Sequence, residues 1–575
     1  MSLRHLVLLS LLTLVACSDN TADTPAPVSE NAADLILKGG KIFTVAGKSA
    51  WAEAVAIKDG RIIYVGDDKG VAAFAGATSE VHELGGRLML PGFIDAHIHP
   101  ISGGIEASAC DLNELGDVAA YRARIAEYAQ LNPDVEWILG GGWSMAEFGP
   151  GARPSKLILD ELVSDRPVFL SSADGHSGWA NSKALEIAGI DRNTPDPVDG
   201  IIDRDPATGE AIGSLQEGAM SLVTKHIPET TQAVRMQGLK YARDMLHRYG
   251  ITGAQVAYAH EPDLRAYTEL DAAGELNLRL VTALWWERDQ TEEQIPHLVE
   301  LREKYSRGNV QATSVKIMQD GVMENYTAVM LEPYLLPEPT RGIPMVEPEF
   351  LKEAVTQIDA AGFQVHFHAI GDGAIRQALN AIEVAEKTNG RKDYRHHISH
   401  LQLIDEADIP RFAELDVVAN FQPLWAYADD YIVDLTIPFI GEDRAQWMYP
   451  IKSVIDAGGR VAFGSDWSVS TANPFMQIET AVTRVDAIGH ETEVMNPEQR
   501  ITVEQAVTAF TINSAFVNHL DEETGSIETG KLADLIVVDQ NLFEIDAKDI
   551  SDTKVVVTLF GGKPVYGTLA DLDNL

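Results

Sequence analysis

Residues 91–99 read PGFIDAHIH, an apolar run that ends in two histidines. Side chains alternate between the two faces of an extended strand, so His97 and His99 lie on the same face. Two imidazoles on one face can bind a single metal ion. A lone His-x-His pair is weak evidence, because ordinary surface or core histidines explain such pairs as well. The rest of the chain therefore decides whether this pair belongs to a metal site.

A lysine lies inside a second apolar stretch. Lys316 stands within residues 314–318, which read SVKIM. Burying an ammonium group is costly unless it gains a partner or changes chemically. An ion pair, for example with Asp320, is one solution, and the strand alone favours it. Carbamylation by CO₂ is the other solution, because it turns the cation into a carboxylate that can bridge two metal ions.

More imidazoles and a carboxylate follow at later predicted strands. His366 and His368 share one face of a strand by alternation. His396 and His400 share a face of the next strand by the same rule, and one member of each pair should point inward. Asp466 ends the last predicted strand with a carboxylate that suits metal binding and proton transfer.

The middle of the chain predicts a (β/α)₈ barrel, an α/β fold. About eight short apolar strands occur there, many of them followed by helical patterns. We place them at residues 90–94, 252–256, 279–284, 315–318, 364–367, 397–399, 417–421 and 460–463. The metal-binding candidates stand at the ends of separate strands, where barrel enzymes carry their catalytic residues. This order along the chain, rather than any single residue, supports a metal site.

Both ends of the chain are rich in short alternating strands. Asp59 and Gly60 stand between two apolar runs, which predicts a β-hairpin. We expect a small β-sandwich built from residues 34–88 and 520–575, with a barrel domain of residues 89–519 inserted between them. A long insertion at about residues 100–249 should shape the substrate pocket.

The first residues look like a bacterial lipoprotein signal peptide. A basic start, an apolar run at residues 6–14 and small residues before Cys17 form this pattern. We expect a signal peptide with its lipobox at residues 1–17 and a flexible tether at residues 18–33. The protein would then lie in the periplasm, anchored to a membrane through a lipid on Cys17. An ordinary cleaved signal peptide is the alternative. Cys110 is expected to be a buried small side chain rather than a nucleophile.

The net charge constrains the partners of this protein. The chain of 575 residues carries a formal charge of −41. Such a field repels phosphate and disfavours nucleic acid or an anionic membrane surface as a partner. The expected partner is a small-molecule substrate, and the only expected membrane contact is the lipid anchor. The sequence leaves the oligomeric state open, and a homo-oligomer is compatible with it.

Taken together, these motifs resemble the amidohydrolase superfamily, and within it amidohydrolase family 3, the YtcJ-like hydrolases. The similarity runs from about residue 34 to residue 566, nearly the whole mature chain. Besides the barrel motifs it includes GGGW at residues 140–143, DGHSGWANSKAL from residue 174 and GSIETGKLADLIVVD from residue 525. Ser399 and Ser468 depart from the glutamate and proline common at these positions, which bears on substrate fit rather than on metal binding.

The resemblance implies one or two divalent metal ions, with zinc as the expected identity. The implied ligands are His97 and His99 for one ion, a carbamylated Lys316 as the bridge, His368 and His400 for the second ion, and Asp466. The family pattern favours His368 over His366, because the ligand precedes Ala-Ile-Gly-Asp.

The resemblance also implies a mechanism. A metal-activated water attacks a polarised carbonyl, and Asp466 accepts its proton and delivers it to the leaving nitrogen. His176 stabilises the developing oxyanion or holds the substrate, unless it makes only a structural hydrogen bond. The candidate substrate contacts, any of which can instead be plain core, are Asp320 and the tryptophans of an apolar pocket wall, Trp143, Trp285, Trp286 and Trp425.

Three functions are compatible with this reading of the sequence. The first is hydrolysis of a C–N bond in an amide, cyclic amide, N-formyl or N-acyl compound. The second is an esterase or lactonase on the same metal centre. The third is a non-catalytic metal-binding lipoprotein, which Lys316 and Asp466 disfavour, because a storage site needs neither a carbamate bridge nor a proton shuttle.

Overall fold

The middle of the chain forms one sheet of eight parallel strands that follow one another in sequence order. They are β1 (Phe93–Ile98), β2 (Ile251–Ala259), β3 (Arg279–Trp285), β4 (Val310–Met318), β5 (Gln364–Ala369), β6 (His397–His400), β7 (Val418–Phe421) and β8 (Val461–Phe463). The computed structural model describes residues 32–47, 50–113, 115–148, 153–490 and 492–573. This arrangement confirms the predicted (β/α)₈ barrel.

The sheet is closed by contacts between β1 and the residues that follow β8. The Asp466 amide donates to the His97 carbonyl at 2.8 Å, and the Ser465 amide donates to Asp95 Oδ1 at 2.9 Å. Gly464 makes this approach possible, since a Cβ there would lie 2.4 Å from the His97 nitrogen. The closure therefore brings Asp466 next to His97.

Helices cover the outside of the barrel. The one after β5 shows why they form: Ile375, Leu379 and Ile382 recur at helical spacing and are buried against the sheet. The α-helices that alternate with the barrel strands or follow β8 are Pro100–Glu106, Gln232–Arg248, Glu261–Ala272, Ile295–Tyr305, Pro348–Ala360, Asp372–Asn389, Ile409–Glu414, Asp430–Val433, Ile437–Ile440, Glu442–Ala445, Ile451–Asp456, Pro474–Thr483, Val503–Phe510 and Ile512–Val517.

The bounds predicted for the first barrel strand, residues 90–94, are wrong. The structure divides this run into Leu88–Pro91, which pairs with Leu535–Val538, and β1, which pairs with β2. Gly92 separates them, because its amide donates to the Asp534 carbonyl at 2.9 Å and a Cβ there would clash with Thr252. An unbroken apolar run gives no sign that its two halves have different partners.

Strands from both ends of the chain share one sheet, as predicted. Its six strands lie in the order Lys563–Tyr566, Val555–Phe560, Leu535–Val538, Leu88–Pro91, Lys41–Phe43 and Trp51–Ala52. A second sheet packs against it through apolar side chains and has the order Arg61–Gly66, Ala54–Lys58, Leu35–Lys38 and Glu80–Glu83. The predicted hairpin is confirmed, since Asp59 and Gly60 both adopt positive φ between paired strands.

The residues between β1 and β2 carry a third sheet, which stands over the barrel. Its six strands lie in the order Gly200–Arg204, Ala211–Glu217, Ser177–Ala180, Val168–Ser172, Ile138–Trp143 and Cys110–Asp111. The α-helices of this insertion are Val118–Leu131, Lys156–Leu162, Ser182–Ala188 and Ser221–Thr224, and a further short helix, Asp68–Val71, belongs to the sandwich.

The predicted signal peptide and Cys17 lie outside the described residues, as does nearly all of the tether. Among the residues that the structure does describe, no helix has the length and apolar character needed to cross a membrane. Cys110 is buried and has a free thiol, and burial raises its pKa to about 12. A thiol of this kind is protonated at neutral pH and is a poor nucleophile, as the sequence predicts.

Candidate metal centre and active site

Asp466 lies at the centre of a group of imidazoles at the carboxyl end of the barrel. Its Oδ1 is 3.0 Å from His99 Nε2 and 3.4 Å from His97 Nε2. Its Oδ2 is 3.8 Å from His400 Nδ1. One carboxylate thus faces three imidazoles. His97 lies on β1, His99 directly follows β1, and His400 ends β6.

Three members of this group offer ligand atoms that lie within 4.8 Å of one another: His97, His400 and Asp466, all of them buried. Asp466 Oδ1 and both ring nitrogens of His400 are buried without a hydrogen-bond partner among the described residues. Each such group costs about 1–3 kcal/mol when left unpaired. A metal ion removes this cost, so these residues fit a divalent cation.

The protonation state of the histidines also suits a metal. Burial lowers the pKa of His97, His368 and His400 well below the usual range of an imidazole. The rings are therefore neutral at pH 7, which is the form that binds metal ions.

Lys316 points into the same centre from β4. It is buried, and within the described residues it forms no ion pair; Asp466 is the charged group that favours its protonated form. Burial lowers the pKa of Lys316 to about 7. The ion pair predicted between Lys316 and Asp320 does not form. The Lys316 amine therefore has no ion-pair partner among the described residues.

Asp320 instead supports His368. Its carboxylate accepts the backbone amides of Val329, Ile370 and Gly371 at 2.9–3.0 Å. Its Oδ1 lies 3.3 Å from His368 Nδ1. The sequence predicted that Asp320 contacts the substrate. Its side chain is instead completely buried and used in this way, and it lines neither cavity.

Alternation holds for one histidine pair and fails for the other. His366 and His368 share the inner face of β5, and His366 Nε2 lies 2.9 Å from His97 Nδ1. His396 faces outward, where its Nε2 is 3.4 Å from Asp359. His400 turns inward because its φ of 82° breaks the extended geometry of β6. The prediction that His396 and His400 share a face is therefore wrong.

The insertion sheet contributes His176 to the opposite side of the centre. Its Nδ1 lies 2.9 Å from Glu217 Oε2, and its ring centroid lies 5.2 Å from that of His368. Burial lowers the pKa of His176, but the Glu217 carboxylate outweighs this effect and raises it to about 9. Sequence reasoning missed Glu217, because a single glutamate in a strand of the insertion carries no local motif.

Two adjoining cavities open onto this centre. The larger, about 660 Å³, is lined by His97, His99, Lys316 and Trp285 among others. The smaller, about 250 Å³, is lined by Trp425, whose ring stacks on that of His400 at a centroid distance of 5.5 Å. Both cavities reach His176, His368, His400 and Asp466.

Two of the four tryptophans proposed for the pocket wall do not line either cavity. Trp143 is fully buried in the core of the insertion, where its Nε1 donates to the Leu170 carbonyl at 2.9 Å. Trp286 is buried in the barrel core. Trp285 and Trp425 do line the cavities.

A comparison with known families assigns the chain to one of them. The amidohydrolase family matches residues 80–566. The chain belongs to the amidohydrolase family. Protein LONG AFTER FAR-RED 3 of Arabidopsis thaliana is 32% identical, over 95% of this amidohydrolase and 94% of its own length. The YtcJ protein of Bacillus subtilis (strain 168) is 30% identical, over 92% of this amidohydrolase and 99% of its own length.

Two further relatives bear on chemistry. An N-substituted formamide deformylase of Arthrobacter pascens is 25% identical, over 92% of this amidohydrolase and 97% of its own length. The crystal structure of an uncharacterized metal-dependent hydrolase from Pyrococcus furiosus is 25% identical and has a TM-score of 0.68, with 89% of this chain and all of that chain covered. Together with the site, these similarities support a hydrolase that uses a divalent metal.

Proposed function

We propose that this amidohydrolase cleaves a C–N bond of an amide, cyclic amide, N-formyl or N-acyl compound. The observation that carries the proposal is the position of Asp466, which faces three imidazoles where both cavities meet. An N-substituted formamide deformylase among the relatives supports the choice of a C–N bond.

The residues that would hold one or two divalent metal ions are His97, His99, Lys316, His368, His400 and Asp466. A bound divalent ion such as zinc lowers the pKa of a water molecule to about 7 and polarises a carbonyl oxygen. The unpaired nitrogens of His400 and the unpaired oxygen of Asp466 support this assignment.

Lys316 would bind the metal as a carbamate. With a pKa of about 7, its amine is neutral in a large fraction of molecules near neutral pH. The neutral amine attacks CO₂, forms an N–C bond and loses one proton, which leaves a carboxylate in place of the cation. The absence of an ion-pair partner for Lys316 among the described residues supports this reaction.

Asp466 and His176 move protons and stabilise charge during hydrolysis. Asp466 Oδ1 receives no hydrogen bond from the described residues, so it can accept a proton from the attacking water and return it to the leaving nitrogen. Glu217 keeps His176 protonated and occupies its Nδ1. The remaining N–H of His176 donates to the carbonyl oxygen as negative charge develops there.

A matched pair of substrates tests the choice of bond. We would compare the metal-loaded enzyme on formanilide and phenyl formate, which differ only in the atom that leaves. Hydrolysis of formanilide above the rate without enzyme supports the proposed function. Turnover of the ester alone contradicts it and assigns the site to C–O hydrolysis.

A further inference from the structure

The smaller cavity is rich in carboxylates and poor in basic side chains. Beyond Asp466 it is lined by three further carboxylates, those of Asp174, Glu324 and Asp429. Among the described residues that line it, none is a lysine or an arginine. Among the described lining residues the protein cation is His176, and its Nδ1 is already paired with Glu217.

Glu324 and Asp429 are only partly satisfied by the protein. One oxygen of Glu324, which is 8% exposed, accepts from Thr436 Oγ1 at 3.2 Å and from Gln402 Nε2 at 3.4 Å. One oxygen of Asp429 accepts the Ile432 amide at 2.9 Å. Neither carboxylate is paired with a lysine or an arginine among the described residues. Burial raises the pKa of both carboxyls to about 7, as expected where no cation stands beside them.

Aromatic side chains complete the wall. Trp425, Tyr427, Tyr431 and Tyr449 line the same cavity. Tyr449 is 2% exposed, yet its hydroxyl forms no hydrogen bond with any described residue, and the charges of Glu324 and Asp429 act on it. Because Tyr449 lines the cavity, its hydroxyl is available to a molecule bound there.

The arginine behind Tyr449 does not neutralise these carboxylates. Arg484 is completely buried, and its guanidinium donates to the backbone carbonyls of Met448, Tyr449 and Met495 at 3.0–3.3 Å. These bonds hold the Tyr449 backbone in place and use the donors of the guanidinium. Arg484 therefore forms no ion pair with these carboxylates.

We propose that the smaller cavity binds a protonated amine, so that the preferred substrate is an N-acyl or N-formyl compound that carries an ammonium group away from the scissile bond. Buried carboxylates pair with such a cation, and aromatic faces attract it. A carboxylate or phosphate in the same place would meet the like charges of Asp174, Glu324 and Asp429. The acyl part of this substrate rests on the proposed function, whereas the ammonium part rests on the cavity alone.

Binding of a simple amine tests the cavity without catalysis. We would titrate the metal-loaded enzyme with n-butylammonium and with 1-butanol by calorimetry. We expect the cation to bind at least about tenfold more tightly, which corresponds to about 1.4 kcal/mol. Equal affinity for the two probes, or binding of neither, would overturn the proposal.

Variants locate the binding site. Glu324→Gln, Asp429→Asn and Tyr449→Phe should each reduce the preference for the cation over the alcohol by severalfold. Asp430→Asn is the matched control, because Asp430 neighbours Asp429 but is exposed and lines neither cavity. Tyr449→Phe keeps the ring in the core and so remains informative if Glu324→Gln does not fold. An unchanged preference in all three folded variants would place the cation elsewhere and overturn the proposal.

Turnover separates this inference from the proposed function. The substrates are N-formyl-1,4-diaminobutane, which ends in an ammonium group, and N-formylpentylamine, which ends in a methyl group of similar size. We expect kcat/KM to be at least about tenfold higher for the cationic substrate. Equal hydrolysis of both would overturn the inference and leave the proposed function standing. Hydrolysis of neither, with n-butylammonium still bound, would overturn the proposed function and leave the cation site standing.

Discussion

His97 and Asp466 are joined in two ways. The amide of Asp466 donates to the carbonyl of His97 at 2.8 Å, and the Asp466 carboxylate lies 3.4 Å from the His97 ring. The first contact closes the barrel, and the second builds the centre of the site. The same closure that stabilises the fold therefore fixes the position of the proposed proton carrier.

Replacing Asp466 with asparagine tests its role as a proton carrier. The asparagine amide keeps the shape and an oxygen ligand but cannot accept a proton at neutral pH. We expect Asp466→Asn to retain metal, measured by elemental analysis, and to lose turnover by about 10²- to 10⁴-fold. Unchanged kcat in a metal-loaded variant would remove Asp466 from this role.

Replacing Lys316 tests the carbamate. We expect Lys316→Ala to lose both metal and activity, because the proposed carbamate ligand is gone. Lys387→Ala is a suitable control, since Lys387 lies exposed on the helix after β5. Full metal occupancy in Lys316→Ala would show that the lysine is not a ligand. Partial recovery of activity on addition of a small carboxylic acid would support the carbamate.

Asp320 should affect metal affinity without touching substrate. Its contact with His368 and its three backbone bonds hold that ring in position. Groups that orient metal-binding histidines typically change metal affinity by about 10- to 100-fold when they are replaced. We expect Asp320→Asn to show a loss of this size in competition with a chelator. An unchanged affinity in a folded variant would make Asp320 purely structural.

The proposed lipid anchor can be tested directly on the full chain. We expect Cys17 to incorporate a labelled fatty acid in a bacterial host and the protein to fractionate with membranes. Cys17→Ala should abolish the label and leave the protein unanchored. Labelling that persists in this variant, or a wild-type chain without label, would contradict lipidation at Cys17.

Several parts of the site were predictable because they lie on regular strands. His97, Lys316 and His368 lie on strands and are placed by alternation, and Asp466, which follows β8, is placed by the rule that barrel sites form at the carboxyl ends of strands. His400 was found by its motif and not by its geometry, since a positive φ turns it inward. Alternation alone would have placed it outside.

Other parts depend on contacts that no local pattern records. Glu217 meets His176 across the insertion sheet, 41 positions away along the chain. Trp143 was proposed for the pocket wall, but its neighbours bury it in the insertion core. The change of sheet at Gly92 depends on Thr252 and Asp534, which lie far along the chain. Tertiary contacts of this kind appear only in the folded molecule.

The most direct test of a metal-dependent hydrolase is the metal content and activity of the same sample. We would purify the protein without chelator, in the presence of bicarbonate, and measure metal by elemental analysis and hydrolysis of formanilide. We expect about one to two equivalents of zinc or a similar divalent ion per chain, loss of activity on chelation and its return when the ion is restored. A metal-free protein that takes up no ion on reconstitution, or one that stays fully active without metal, would contradict the account.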